Sequence, residues 1–264
     1  MKLGFIGTGN MASAIMGGII SKGVIPADEI IGADLFAPGR ERVKEKFGIH
    51  VTADNNEVVE KADVVLLSVK PQFYADVISG IKDKIRPDQI VITIAPGKTL
   101  SWLAEQFGKD VKIVRCMPNT PAMVGEGMTA ACPNEHMTEE EIEYVKTLLS
   151  SFSLVEIVSE KLMDTVTAVS GSSPAYVFMF IEAMADAAVL DGMPRAQAYK
   201  FAAQAVLGSA KMVLDTGKHP GELKDMVCSP AGTTIDAVRV LEECGFRGTI
   251  IDAVQTCAEK SRSL

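Results

Sequence analysis

Histidine is nearly absent from this chain: His50, His136 and His219 are the three in 264 residues. None of them falls in a motif of site character, so a histidine general acid is not indicated. The five cysteines, Cys116, Cys132, Cys228, Cys244 and Cys257, are odd in number and lack CxxC or any other metal-like spacing. They read as reduced thiols of a cytoplasmic protein, and no metal site is expected. A Lys/Arg stripe is lacking too. With a net charge of -8 and a pI near 5.0, the chain has no footprint for phosphate-backbone binding, so nucleic acid is not an expected partner. The opening MKLGFIG turns Gly-rich within a few residues, unlike a signal peptide. The most apolar later stretch, Ala175 to Leu190, is interrupted by Glu182 and Asp186, and no membrane segment is expected. Internal repeats and low-complexity segments are missing as well.

What is present is a balance of 47% apolar and 23% charged residues, that of a folded globular protein long enough for two domains. Short runs rich in Val and Ile alternate with helix-like segments through the first ~160 residues, the pattern of a parallel sheet with crossover helices. Strands are predicted at Lys2 to Ile6, Glu29 to Asp34, Ile49 to Thr52, Asp63 to Ser68, Ile90 to Ile94 and Val111 to Cys116. Thr138 with Glu139, Glu140 and Glu141 reads as a capping box at a helix start. From about Ser159 onward the strand signal gives way to helical periodicity. Ser173-Pro174 is expected to open one helix that Asp191-Gly192 ends, and Pro194 to start another running towards Gly217. The segment AYVFMFIEAMADAAVL is apolar around most of its circumference, so it must be buried, most readily against a second subunit. The expected fold class is α/β: a Rossmann-type doubly wound parallel sheet over residues 1–160, then an all-helical domain for substrate binding and oligomerisation over 161–264.

The first strand runs into Gly7-Thr8-Gly9-Asn10-Met11-Ala12, which is G-x-G-x-x-A, and then into a helix of small and apolar residues. Gly7 permits the tight turn, Gly9 lets the backbone approach a pyrophosphate, and Ala12 allows close helix–strand packing. The free amides of that helix then face the phosphates. Asp34, at the end of the second strand, stands where a Rossmann acid accepts bonds from the adenosine ribose; it equally reads as an exposed Asp after a strand. Its charge argues for NADH. Arg40 and Arg42 argue the other way, for NADPH.

Spaced motifs along nearly the whole chain resemble the pyrroline-5-carboxylate reductase family. They are FIGTGNMASAI at the start, Ala62-Asp63 through Ser68-Val69-Lys70-Pro71-Gln72, and Arg115-Cys116-Met117-Pro118-Asn119-Thr120-Pro121. The two C-terminal ones are Thr167 through Tyr176 and Leu223 through Thr234. Two departures stand out: Ser173 replaces a glycine usual before Pro174, and Pro96 interrupts a small-residue turn after the fifth strand.

The resemblance implies a reductase that takes NADPH or NADH, reduces the cyclic imine of 1-pyrroline-5-carboxylate to proline, and works as a homodimer or an oligomer of dimers. It implies cofactor contacts from Gly7, Thr8, Gly9, Asn10, Met11, Asp34, Asn55, Ser68, Val69, Lys70 and Pro71. Taken alone, Asn55 equally reads as a helix cap and Lys70 as an exposed loop lysine. For the substrate it implies Ser229, Gly232, Thr233 and Thr234, with Thr167 approaching from the partner subunit. The Ser229–Thr234 loop opens a helix whose free amides suit a carboxylate, although Thr233 and Asp236 also have capping-box spacing. Thr234 is the candidate for hydrogen bonding or proton delivery at the imine nitrogen. The alternatives are a β-hydroxyacid dehydrogenase-like enzyme, for which Lys211 lacks the following asparagines, and a non-catalytic dinucleotide-sensing protein.

Overall fold

Buried on both faces, the first strand sets the pattern of the sheet. All four residues of β1 (Leu3–Ile6) are buried; Leu3 and Phe5 join one apolar layer and Ile6 the other, as the two-residue period of a strand requires. The structure, a computed structural model, describes residues 1–263. β2 (Ile30–Ala33), an edge strand β3 (His50–Thr52), β4 (Val64–Leu67), β5 (Ile90–Thr93) and β6 (Lys112–Met117) follow, each within a residue or two of its predicted place. All pair in parallel. The crossovers are α1 (Asn10–Ser21), α2 (Ala37–Phe47), α3 (Asn55–Lys61), α4 (Tyr74–Ile81) and α5 (Leu100–Phe107).

Two further strands were not expected. β7 (Gly127–Pro133) runs antiparallel to β6, and β8 (Ser153–Ile157) pairs in parallel with β7 at the far edge, giving the order β3-β2-β1-β4-β5-β6-β7-β8. The sheet is therefore mixed at one side. GMTAACP is made mostly of small residues with a single β-branched side chain, which is why it carries little strand signal. Between β7 and β8, α6 (Glu139–Leu149) starts on the expected capping box: Thr138 Oγ1 accepts from Glu141 N and Glu141 Oε2 accepts from Thr138 N.

The remaining chain is helical. α7 (Met163–Val166) continues through a π-turn, Thr167–Gly171, towards α8 (Ser173–Leu190). α8 begins at Ser173-Pro174 as expected, but the chain is already helical before them, so Ser173 is its first residue and not a cap outside it. The lengthened run Glu160–Leu190 has 31 residues and contains an 18-residue stretch of mean hydropathy 1.4, long and apolar enough to cross a membrane by length and composition. The expectation of no such segment considered only its second half. α9 (Arg195–Thr216) follows Pro194 and ends at left-handed Gly217; α10 (Pro220–Val227), α11 (Thr233–Glu243) and α12 (Phe246–Arg262) complete the chain. By contacts the chain forms two units, Met1–Ser172 with the stretch from Cys257 onward, and Ser173–Thr256. The sheet lies wholly in the first.

Candidate active site

Strand order reverses between β1 and β4, and the carboxyl ends of the strands there open a crevice suited to a dinucleotide. Gly7 turns the chain out of β1 with φ +97, and a Cβ on it would lie 2.8 Å from the Ser68 carbonyl oxygen. Only glycine fits. Ser68 fastens the turn from the neighbouring strand, its Oγ donating to Gly7 O at 2.6 Å and its N to Ile6 O at 2.8 Å. At Gly9 the situation is opposite: a Cβ would meet nothing within 4 Å. Gly9 is the N-cap of α1, with no side-chain cap and no acidic residue in the first turn. The first amides of α1 are thus left for an anion, and the open side of Gly9 is the space a pyrophosphate needs. The residues fit a dinucleotide.

A cleft of about 790 Å³ at these strand ends gathers Gly7, Gly9, Asn10, Met11, Asp34, Ser68, Val69, Lys70 and Pro71. Thr8 is fully buried beneath it. Asn55 is the first residue of α3 and is not among the cleft residues; nor is it the cap, since Asp54 accepts from Asn56 N. The cleft also includes Ala95 and Pro96 after β5, Met117 at the end of β6, and Pro118 and Thr120 beyond it; of these, sequence reasoning had singled out Pro96 alone, as a departure from the family pattern. Their signal was available: each stands at or just past the carboxyl end of a parallel strand, the side of an open α/β sheet on which ligands bind. Tyr74 joins two of these ends. It is fully buried, its hydroxyl donating to Leu67 O at 2.6 Å and accepting from Ile94 N at 3.3 Å. Burial pushes its pKa up, which keeps the donor neutral and in place.

Asp34 is engaged from within. Its Oδ2 accepts from Thr8 N at 2.8 Å and Thr8 Oγ1 at 3.0 Å, and its Oδ1 from Phe36 N at 3.0 Å. Arg40 donates to the Asp34 carbonyl, and Arg42 Nη2 to Thr8 O at 3.2 Å. The carboxylate therefore braces the glycine turn, while two guanidinium groups stand beside it.

In the second unit, the loop before α11 bends sharply. Ala231 has a positive φ of 58, Gly232 N donates to Ser229 O at 3.0 Å, and a Cβ on Gly232 would lie 2.3 Å from Ser229 Oγ. Gly232 is the N-cap of α11 and no side chain caps it. This decides against Thr233 as a capping residue: it is already the first helical residue, so no capping box with Asp236 forms. Thr234 follows as the second helical residue, and the first amides of this turn have no intrahelical partner. Thr167, in the first unit, opens the π-turn, its Oγ1 donating to Met163 O at 2.9 Å.

Comparison with known proteins now adds a family. A family model described as pyrroline-5-carboxylate reductase dimerisation matches residues 160–264, and one described as NADP oxidoreductase, coenzyme F420-dependent, matches residues 2–97. The pyrroline-5-carboxylate reductase of Escherichia coli K12 is 53% identical over 266 residues, covering 100% of this chain and 98% of that protein. The chain belongs to the pyrroline-5-carboxylate reductase family. Among solved structures, a pyrroline-5-carboxylate reductase from Coxiella burnetii superposes with a TM-score of 0.92 at 35% identity, over 99% of this chain and 97% of that one. The Plasmodium falciparum pyrroline carboxylate reductase, solved with NADP bound, superposes with a TM-score of 0.90 at 33% identity, over 100% and 97%. As a pyrroline-5-carboxylate reductase family member the chain is an NAD(P)H-dependent oxidoreductase. The β-hydroxyacid dehydrogenase alternative falls away, and Lys211, on which it turned, pairs with Asp215 at 2.6 Å on an exposed stretch of α9.

Proposed function

We propose that the chain reduces the imine of 1-pyrroline-5-carboxylate to L-proline, the last step of proline biosynthesis, and that the α11 N-terminus holds the substrate carboxylate. The observation that carries this reading is the uncapped first turn of α11 on the Ser229–Gly232 bend. Its amides, with Ser229, Thr233 and Thr234, offer donors at the positive end of a helix dipole, where an anion is favoured. A bound nicotinamide supplies the hydride to the imine carbon. The chain's own residues orient the two rings and assist the proton that nitrogen gains, Thr234 being the donor placed for it, directly or through water.

On the cofactor side, Gly7, Gly9, Asn10, Met11, Asp34, Ser68, Val69, Lys70 and Pro71 line its cleft and Thr8 braces the turn; a role for Asn55 rests on the resemblance alone. We assign NADPH as the preferred reductant. Asp34 spends its carboxylate on Thr8 and Phe36, and Arg40 and Arg42 are at hand for a 2′-phosphate.

Residues 1–160 bind cofactor and 161–264 bind substrate and dimerise, in a homodimer or an oligomer of dimers located in the cytoplasm. Thr167 approaches the substrate from the partner subunit. The apolar run Glu160–Leu190 is read as subunit interface, not membrane span. Initial rates of NADPH and NADH oxidation with and without 1-pyrroline-5-carboxylate test the proposal. Imine-dependent oxidation with a higher kcat/KM for NADPH is expected, and no imine-dependent oxidation with either cofactor would overturn it.

A further inference from the structure

We infer that Asn119 is a positioning residue for the reduction: it fixes the π-turn that presents Thr167, and ties that turn to the loop at the inner end of the cofactor cleft. The inference rests on the reading of Thr167 as a substrate contact. Asn119 sits between Pro118 and Thr120, both of which line the cleft, yet its own side chain is turned inward and 8% exposed. Its Oδ1 accepts from Met128 N at 2.8 Å and its Nδ2 donates to Ser170 O at 3.0 Å. One acceptor meets an N–H and one donor meets a carbonyl, so the amide orientation is unique.

The carbonyl it serves is a particular one. In a continuous α-helix Ser170 O would receive the N–H four residues on, but that residue is Pro174, which has none. The chain opens into a π-turn at this point, with Ser172 N bonding back to Thr167 O at 2.8 Å, and π-bulges of this kind recur at functional sites. Asn119 supplies the missing donor from across the structure. Met117 adds apolar packing, sharing a buried cluster with Met163 and Val166 of the helical turn just before Thr167. Thr167 is therefore held at a fixed place relative to Pro118 and Thr120, which face the cofactor space. A residue that merely filled volume would not need both halves of an amide.

The discriminating change is Asn119→Asp, which keeps an acceptor for Met128 N and removes the donor to Ser170 O. For this variant kcat/KM for 1-pyrroline-5-carboxylate should fall about tenfold or more near neutral pH, the loss expected for one misplaced hydrogen-bonding group in a transition state. The Kd for NADPH, read by fluorescence titration, should change by less than about twofold. The ratio of variant to wild-type kcat/KM should recover from about pH 8 to about pH 5. Over that range a buried aspartate, raised above its usual ~3.9, gains the proton with which it can donate to Ser170 O. Should Asn119→Asp fold poorly, Asn119→Ser carries the same kinetic comparison without a buried charge.

Combination with Thr167→Ala tests the route. In the Thr167→Ala background, Asn119→Asp should lower kcat/KM by less than about twofold, because residues acting through one another are not additive. Fully additive losses, or wild-type kinetics for Asn119→Asp, would overturn the inference. So would loss of NADPH affinity in step with activity, the mark of a purely structural role. Wild-type kinetics for Thr167→Ala alone would instead locate the failure in the reading of Thr167 and remove the route with it.

Discussion

At Asp34 one carboxylate does two things, and a substitution there separates them. Because Oδ2 holds both the amide and the hydroxyl of Thr8, Asp34→Ser should loosen the glycine turn and raise KM for both NADPH and NADH. The loss should be smaller for NADPH, whose 2′-phosphate no longer faces a nearby negative charge; steady-state kinetics with the two cofactors measure the ratio, and an unchanged ratio contradicts this placement. Tyr74→Phe is a second residue-scale test. It removes the hydroxyl between Leu67 O and Ile94 N, leaving buried groups unpaired at a cost of about 1–3 kcal/mol. A lowered Tm and a raised KM for the cofactor are expected, with kcat changed little. At this scale the sequence was readable wherever backbone geometry forces a residue type, as at Gly7 and Gly9. It was silent on the Tyr74–Ile94 and Asp34–Thr8 contacts, because these join residues 20 and 26 positions apart that no local pattern encodes.

Helix starts show how far local signals reach. The Thr138 box formed as read, and Thr138→Ala should cost about 0.5–2 kcal/mol, visible as a lower Tm with unaltered kinetics. Thr233 and Asp236 carry the same spacing and form no box, since Gly232 takes the cap position. The bend at Ala231 and Gly232 starts the helix one residue early, and that leaves its amides free for a ligand. Thr233→Ala should consequently leave the unfolding free energy within about 1 kcal/mol of wild type and act on the substrate KM instead. Among the strands, β1, β2, β4 and β5 were legible because runs of Val, Ile and Leu buried on both faces leave no other reading. β7 was not, because tertiary pairing with β6, not propensity, makes GMTAACP a strand.

For the whole molecule, the helical half exposes more apolar surface than water tolerates: Phe178 is 60% exposed, Met179 69% and Leu214 74%. Large apolar side chains exposed in such number along α8 and α9 point to an interface, in keeping with the match of residues 160–264 to a dimerisation model. Light scattering at micromolar concentration should give at least a dimer, and Phe178→Glu with Met179→Glu should shift it towards monomer with loss of activity. A stable, active wild-type monomer would contradict the interface. The change from strand to helical periodicity was visible in the sequence near residue 160, whereas the continuation of α7 towards α8 was hidden by the π-turn. The most direct test of the account is the kcat/KM for 1-pyrroline-5-carboxylate of Thr234→Ala beside wild type. That change leaves the backbone amides of α11 in place, so folding and NADPH binding should persist. Loss of one hydrogen bond to a charged or charging group, about 1.5–3 kcal/mol, predicts a fall of roughly tenfold to a hundredfold. A Thr234→Ala enzyme with wild-type kcat/KM would mean that the substrate lies elsewhere.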